Sequence, residues 1–369
     1  MKLIFITTFP ISRLIGDKVD AWWFHRNGFD VEFLDISPLF FDKNRLNQFS
    51  ESSEHYRYIG PNHRVLSKKN DVREILISLS ENDFVWPLGG VYKSLDDDWL
   101  FQDLQAKNIR YYLQHFDTFI EPEKVFKQAR YWIRTLKHRY FNRNMKPQGI
   151  VGSGRLGRIQ AQRLFPESRF ISVPSVIVLW DQAQPIIEGT YSLFVDENII
   201  YAPDAKLLGY TVCHNPEAYY ARLNHFFDKI EEWSGYPVVI AASGKYRYTQ
   251  DYFNGRQLIY GQTLPLIQSA QIVLGHMSLA LYQCLISNKP VLLLDDPDFS
   301  DIKRAGFYDS LMQFITPQLS ITHINKNDYN QSKIVDVEKN IRIVKDYLRE
   351  DGVVTEYRIL MKQEFTQNR

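Results

Sequence analysis

Eleven short β-rich runs, separated by segments long enough for a helix, set the tightest limit on what this chain can fold into. Strands and helices in alternation build βαβ units, and βαβ units assemble into parallel sheets. The runs of the first half are Lys2–Thr7, Val31–Asp35, Phe84–Pro87, Ile109–Leu113, Gly149–Val151 and Arg169–Val173. Those of the second half are Leu193–Asp196, Val238–Ala242, Leu258–Tyr260, Ile272–Gly275 and Val291–Asp295, with helices predicted near Glu217–Ser234, Thr263–Ser269 and Ser278–Asn288. Pro174, Pro185 and Gly189 interrupt the rhythm between Pro174 and Thr190, and 369 residues are enough for two domains. The expected fold is therefore α/β, with two Rossmann-like domains, residues 1–175 and 190–369, facing a central cleft. Val337, Ile341, Val344 and Leu348 recur at helical spacing within Asp336–Arg349, which predicts a packed helix at the end of the second domain.

Composition removes several function classes. Forty-four Lys and Arg against 43 Asp and Glu leave a net charge of +1, without the broad basic footprint of a nucleic-acid binder. Cys213 and Cys284 are too few and too far apart for a disulfide scaffold or a four-thiolate zinc site, which fits a cytoplasmic protein. The opening MKLIFITTFP holds five apolar residues before Thr7, short of a secretory apolar core, and reads as a first strand. No apolar run reaches the roughly 18 residues that a membrane span needs.

Among the motifs, Gly152, Gly154 and Gly157 have the G-x-G-x-x-G spacing of a dinucleotide loop. That fingerprint belongs to a first βα turn and is followed about 20 residues later by an acid. Here the next strand runs into Pro174 and Ser175, so Gly152 and Gly154 are expected to form a tight turn lining the cleft, and no cofactor is predicted. The segment from Gly261 to Asp296 reads as helix, strand, tight turn, helix begun at Ser278, and strand after Lys289–Pro290. Ser278 has the chemistry of an N-cap, and the amides of a first helical turn attract phosphate; its structural alternative is a cap and nothing more.

A strand, a turn, a Ser-headed helix, then K-P-V and an apolar strand resemble the donor half of GT-B glycosyltransferases. The nearest likeness is to those of bacterial capsule and lipopolysaccharide loci, of sialyltransferase or nonulosonate-transferase type. Tyr191–Gly209, Tyr219–Tyr248 and Gly16–Phe40 carry the same texture. The resemblance implies a nucleotide-sugar donor, a CMP- or UDP-sugar, held by Ser243, Lys245, Thr263, His276 and Ser278, with Gly16 and Asp17 in a cleft loop. Relatives that use cytidine-monophosphate sugars carry His-Pro where this chain has Ala242–Ser243, so Ser243, Lys245 or backbone amides must replace that phosphate contact.

Inverting transfer needs a base for the acceptor hydroxyl. Asp196, at the end of its strand, is the first choice, and its structural alternative is a turn acid before Asn198. His115 and Asp117, after the run Ile109–Leu113, compete for the same role. Asp96–Asp98 and Asp295, Asp296 and Asp298 resemble a D-x-D metal motif, but both stand where acids start helices, so no metal is predicted. Lys124 to Lys146 holds eight Lys and Arg and no acid, on a segment with an apolar helical face. It is either a solvated face or a contact with an anionic membrane, peripheral on the inner face.

The expected function is metal-independent transfer of a sugar from a nucleotide donor to a glycan or lipid-linked glycan acceptor on a growing bacterial surface glycan. The alternatives are a nucleotide-sugar epimerase of the same shape and a non-catalytic glycan-binding or assembly protein.

Overall fold

The computed structural model describes residues 1–52, 57–88, 99–115, 145–175, 184–209, 211–244, 246–276, 278, 280–296, 299, 322–325 and 356–367. Its chain divides into two units, each with a parallel sheet of the doubly wound kind, so this is an α/β protein of two Rossmann-like domains.

The first sheet holds β1 (Lys2–Thr7), β2 (Asp30–Asp35), β3 (His63–Val65), β4 (Phe84–Pro87), β5 (Arg110–His115), β6 (Gly149–Gly152) and β7 (Phe170–Ser172), in the order β3-β2-β1-β4-β5-β6-β7. The second holds β8 (Tyr191–Asp196), β9 (Val238–Ala242), β10 (Leu258–Tyr260), β11 (Ala270–Gly275), β12 (Val291–Asp295) and β13 (Thr322–Asn325), in the order β10-β9-β8-β11-β12-β13. Every pairing is parallel. Each chain path winds outward from one strand and then returns to its other side. The direction of winding reverses between β1 and β4 in one sheet and between β8 and β11 in the other. Such switch points open a crevice at the carboxyl ends of the strands, where sheets of this kind take ligands.

The central strands are buried on both faces, and their sequences are correspondingly almost unbroken apolar runs: LIFIT in β1 and all of YSLFVD in β8 are buried. Helices α1 (Arg13–Lys18), α2 (Ala21–Arg26), α3 (Lys43–Ser52), α4 (Lys69–Ile77), α5 (Trp99–Ala106) and α6 (Gly154–Leu164) occur in the first half of the chain. In the second unit are α7 (Pro203–Leu208), α8 (Pro216–Ser234), α9 (Thr263–Ser269) and α10 (Leu281–Ile286). Sequence sets the limits of α8 clearly. Asn215 Oδ1 accepts the Ala218 amide at 3.0 Å, Pro216 occupies the first turn, and Gly235 ends the helix in the left-handed region at φ 71°. Tyr219, Leu223, Phe226, Phe227 and Ile230 form its buried stripe.

Two expectations change. The second domain does not extend to residue 369: the second unit takes Ile177–Val344 together with the short stretch Asn47–Tyr56, and Lys345–Arg369 belongs to the first. The last helix, α11 (Tyr357–Gln367), belongs to the first unit. The reason is its apolar face. Tyr357, Met361 and Phe365 are buried in the cluster built on Phe5 and Phe84 of the first sheet, Phe24 of α2 and Phe29 in the turn between α2 and β2. The helix expected over Asp336–Arg349 lies outside the described residues. The helix expected from Ser278 begins instead at Leu281, whose amide donates to the Ser278 carbonyl at 3.0 Å.

Candidate functional site

The carboxyl ends of the second sheet bring together three of the residues that sequence had singled out, Asp196, Ser243 and His276. β8 ends in Asp196, β9 in Ala242 followed by Ser243, and β11 in Gly275 followed by His276. Asp196 is buried, and both of its oxygens are engaged. Oδ2 accepts the Tyr248 hydroxyl at 2.7 Å, and Oδ1 accepts the Asn198 amide at 2.8 Å. The second bond closes a turn in which Asn198 takes a left-handed φ of 52°, a conformation that asparagine tolerates. Burial pushes the carboxyl up to about 6, opposed by the hydrogen bonds from Tyr248 and Asn198. The geometry is that of the turn acid, not of an open base.

His276 was expected among the donor contacts, and the structure corrects this. It is 1% exposed, with Nδ1 2.7 Å from the Leu294 carbonyl and Nε2 2.9 Å from the Tyr219 hydroxyl. A carbonyl can only accept, so Nδ1 carries the proton and Nε2 accepts from Tyr219. Both nitrogens thus tie β11 to β12 and α8. Asp296 is fully buried after β12 and accepts from Arg222 at 2.9 Å. Ser278 Oγ accepts the Ala280 amide at 3.3 Å within the turn before α10. Ser243 is half-buried at the end of β9, and Thr263 opens α9 with no side-chain cap from Gln262 before it.

In the first unit, Gly16 and Asp17 lie in α1, not in a loop. A Cβ on Gly16 would come within 2.6 Å of the Tyr58 ring, so the glycine serves packing, and Asp17 makes an exposed ion pair with Arg13. Gly152 ends β6, and Gly154 starts α6 at φ 71°. This strand–turn–helix stands next to the sheet edge, away from the β1–β4 switch at which sheets of this kind take ligands. His115 ends β5 opposite Gly152. Lys245, Asp117, Asp96–Asp98, Asp298 and the basic run, apart from Lys146, lie outside the described residues. Among the described residues no three His, Cys, Asp or Glu side chains converge as a metal site, and no helix is long and apolar enough to cross a membrane.

Sequence reasoning missed the tyrosines. Tyr248 packs against Tyr220, Tyr246, Tyr252 and Phe253, and Tyr201 stacks on Tyr246 at 5.1 Å and donates to the Tyr252 hydroxyl at 3.0 Å. Their density in YSLFVDENIIY and GKYRYTQDYF was the available signal. Beside them a depression of about 430 Å³ opens between α8 and the loop before β10, its wall including Tyr220, Asn224, His225, Asp228, Asp251 and Tyr252. Its two carboxylates make it a poor place for phosphate.

No known family model matches the chain, and no curated protein matches it. Solved structures do match along its whole length, at low identity. UDP-GlcNAc 2-epimerase from Methanocaldococcus jannaschii is 9% identical with a TM-score of 0.48, covering 99% of this chain and 100% of its own. Phytolacca americana UGT2, complexed with UDP-2fluoro-glucose and pterostilbene, is 12% identical with a TM-score of 0.48, covering 95% of this chain and 91% of its own. The calicheamicin glycosyltransferase CalG4 is 11% identical with a TM-score of 0.45, covering 100% and 94%.

Proposed function

We propose that the protein is a glycosyltransferase that moves a sugar from a nucleotide donor to a glycan or lipid-linked glycan acceptor. One observation carries the reading. A single chain holds two complete doubly wound sheets, each with its own switch point, and so offers two separate ligand rims. Two rims suit a reaction with two substrates, and the GT-B-like texture of Gly261–Asp296 assigns the donor to the second. Ser243, the turn at Ser278 and the loop after β9 are the donor contacts. Because both oxygens of Asp196 are engaged, we assign the base for the acceptor hydroxyl to His115, the last residue of β5 in the first unit, or to Asp117. The chemistry is proposed to run without a metal, on a bacterial surface glycan, with residues 124–146 on an anionic membrane face.

A thermal-shift panel of CMP, UDP, GDP and NAD⁺ tests the reading, since a ligand that binds only the native state raises the midpoint. A rise with CMP or UDP that a chelator leaves intact is expected, followed by transfer from the matching nucleotide sugar. A response to NAD⁺ alone would overturn the proposal. Conversion of the donor to an epimer without any acceptor would replace transfer with epimerisation.

A further inference from the structure

The register of the second sheet sets three strand-end residues in one row, Asp196 opposite Ala242 and Ala242 opposite Tyr260. Loop 243–257 leaves this row from β9, returns as β10, and is fastened at both ends of the row. At one end the Tyr248 hydroxyl donates to Asp196 at 2.7 Å and accepts from the Tyr220 hydroxyl at 3.4 Å. At the other, the Tyr248 backbone N–H donates to the Tyr260 hydroxyl at 3.0 Å, and the Arg247 guanidinium lies over the Tyr260 ring, 3.8 Å from its centroid.

Arg247 is exposed, and among the described residues it has no carboxylate partner. Neighbouring arginines differ: Arg222 is committed to Asp296, and Arg256 to Asp228 and Glu231. A guanidinium laid flat on a ring keeps its in-plane N–H edge open and loses little freedom when that edge takes a phosphate. Its platform is held by Tyr248, and Tyr248 is held by a buried acid that cannot serve as an accessible base. This gives Asp196 a use.

We propose that Arg247 is an anion-contacting residue at the carboxyl edge of the second sheet, and that Asp196 and Tyr248 are positioning residues that hold it there through loop 243–257. The ligand is a phosphate or diphosphate group. Its being part of a nucleotide sugar rests on the function proposed above, whereas its charge does not.

Calorimetric titration of the full-length protein with UDP, CMP and inorganic pyrophosphate, at low and high salt, tests this. Arg247→Gln should weaken binding about tenfold or more and flatten its salt dependence, and Arg247→Lys should recover only part. Tyr248→Phe and Tyr260→Leu should weaken it about two- to tenfold, and in a transfer assay should raise the donor KM more than they lower kcat. Wild-type nucleotide affinity in Arg247→Gln would overturn the inference and leave the transferase reading standing. Loss of pyrophosphate binding in Arg247→Gln, in a protein that binds no nucleotide, would keep the anion site and remove the nucleotide. A wild-type protein that binds neither probe overturns both. Arg247 is a surface residue, so its variants remain informative even if Tyr248→Phe fails to fold.

Discussion

Asp196 shows how a residue's environment decides its role. Its folded carboxyl is raised by burial to about 6, above the ordinary 3.8, so the native state favours the protonated form. The contribution to stability is complete below about pH 4 and is lost as pH rises through about 6, amounting to roughly 2–3 kcal/mol. Asp196→Asn keeps the shape and cannot ionise. Denaturant melts between pH 4 and 7.5 should therefore show the wild type losing stability relative to Asp196→Asn across that window, and equal curves would contradict the buried carboxyl. Burial also raises Asp35, so it is the difference between the two proteins that isolates Asp196. Sequence supplied the residue and its place at a strand end. It could not supply the role, because that depends on Tyr248, 52 residues further along the chain.

At the scale of elements, the strands were the most legible part. β1, β4, β9, β10 and β12 have the limits that their apolar runs predict; for β1, β4 and β9 the reason is that a strand buried on both faces needs an unbroken run, whereas β10 is a half-buried edge strand. β3 was missed because HRV is exposed at all three positions and carries no such signal. The strand-end turns repeat a device. Asp35, the last residue of β2, accepts the Ile11 and Ser37 amides at 2.9 Å each, much as Asp196 holds its own turn. An acid at the end of a parallel strand thus reads the same whether it holds a loop or meets a substrate. Helix α11 is the clearest case of packing that spacing alone could not place. Phe365 has five aromatic neighbours, Phe24, Phe29, Phe84, Trp86 and Tyr112, with centroids 4.7–6.1 Å away, and all lie more than 250 residues earlier. Around the helix, Arg358 pairs with Asp20 at 2.8 Å and Lys362 donates to Asn27 at 2.9 Å. Phe365→Ala should cost about 3–5 kcal/mol in the first unit, whereas Lys362→Ala, at the exposed rim of the same contact, should cost about 1 kcal/mol or less. Chemical denaturation of the two variants checks the ratio, and near-equal losses would mean that the helix is held by its polar edge.

For the whole molecule, the decisive fact is that each unit carries its own sheet, while the chain passes between units four times, at Leu46–Asn47, Tyr56–Arg57, Val176–Ile177 and Val344–Lys345. Separate compact units give separate cooperative transitions, and a ligand stabilises the unit that binds it by mass action. If the donor rim belongs to the second sheet alone, a saturating nucleotide should raise one calorimetric transition and leave the other in place. Phe365→Ala should then lower the transition that the nucleotide leaves alone, without changing nucleotide affinity. Raising both transitions together would show that the ligand reads both units at once. The donor site would then need residues from the first sheet, with the carboxyl ends of β1 and β4 the first place to look, because that is where its direction of winding reverses.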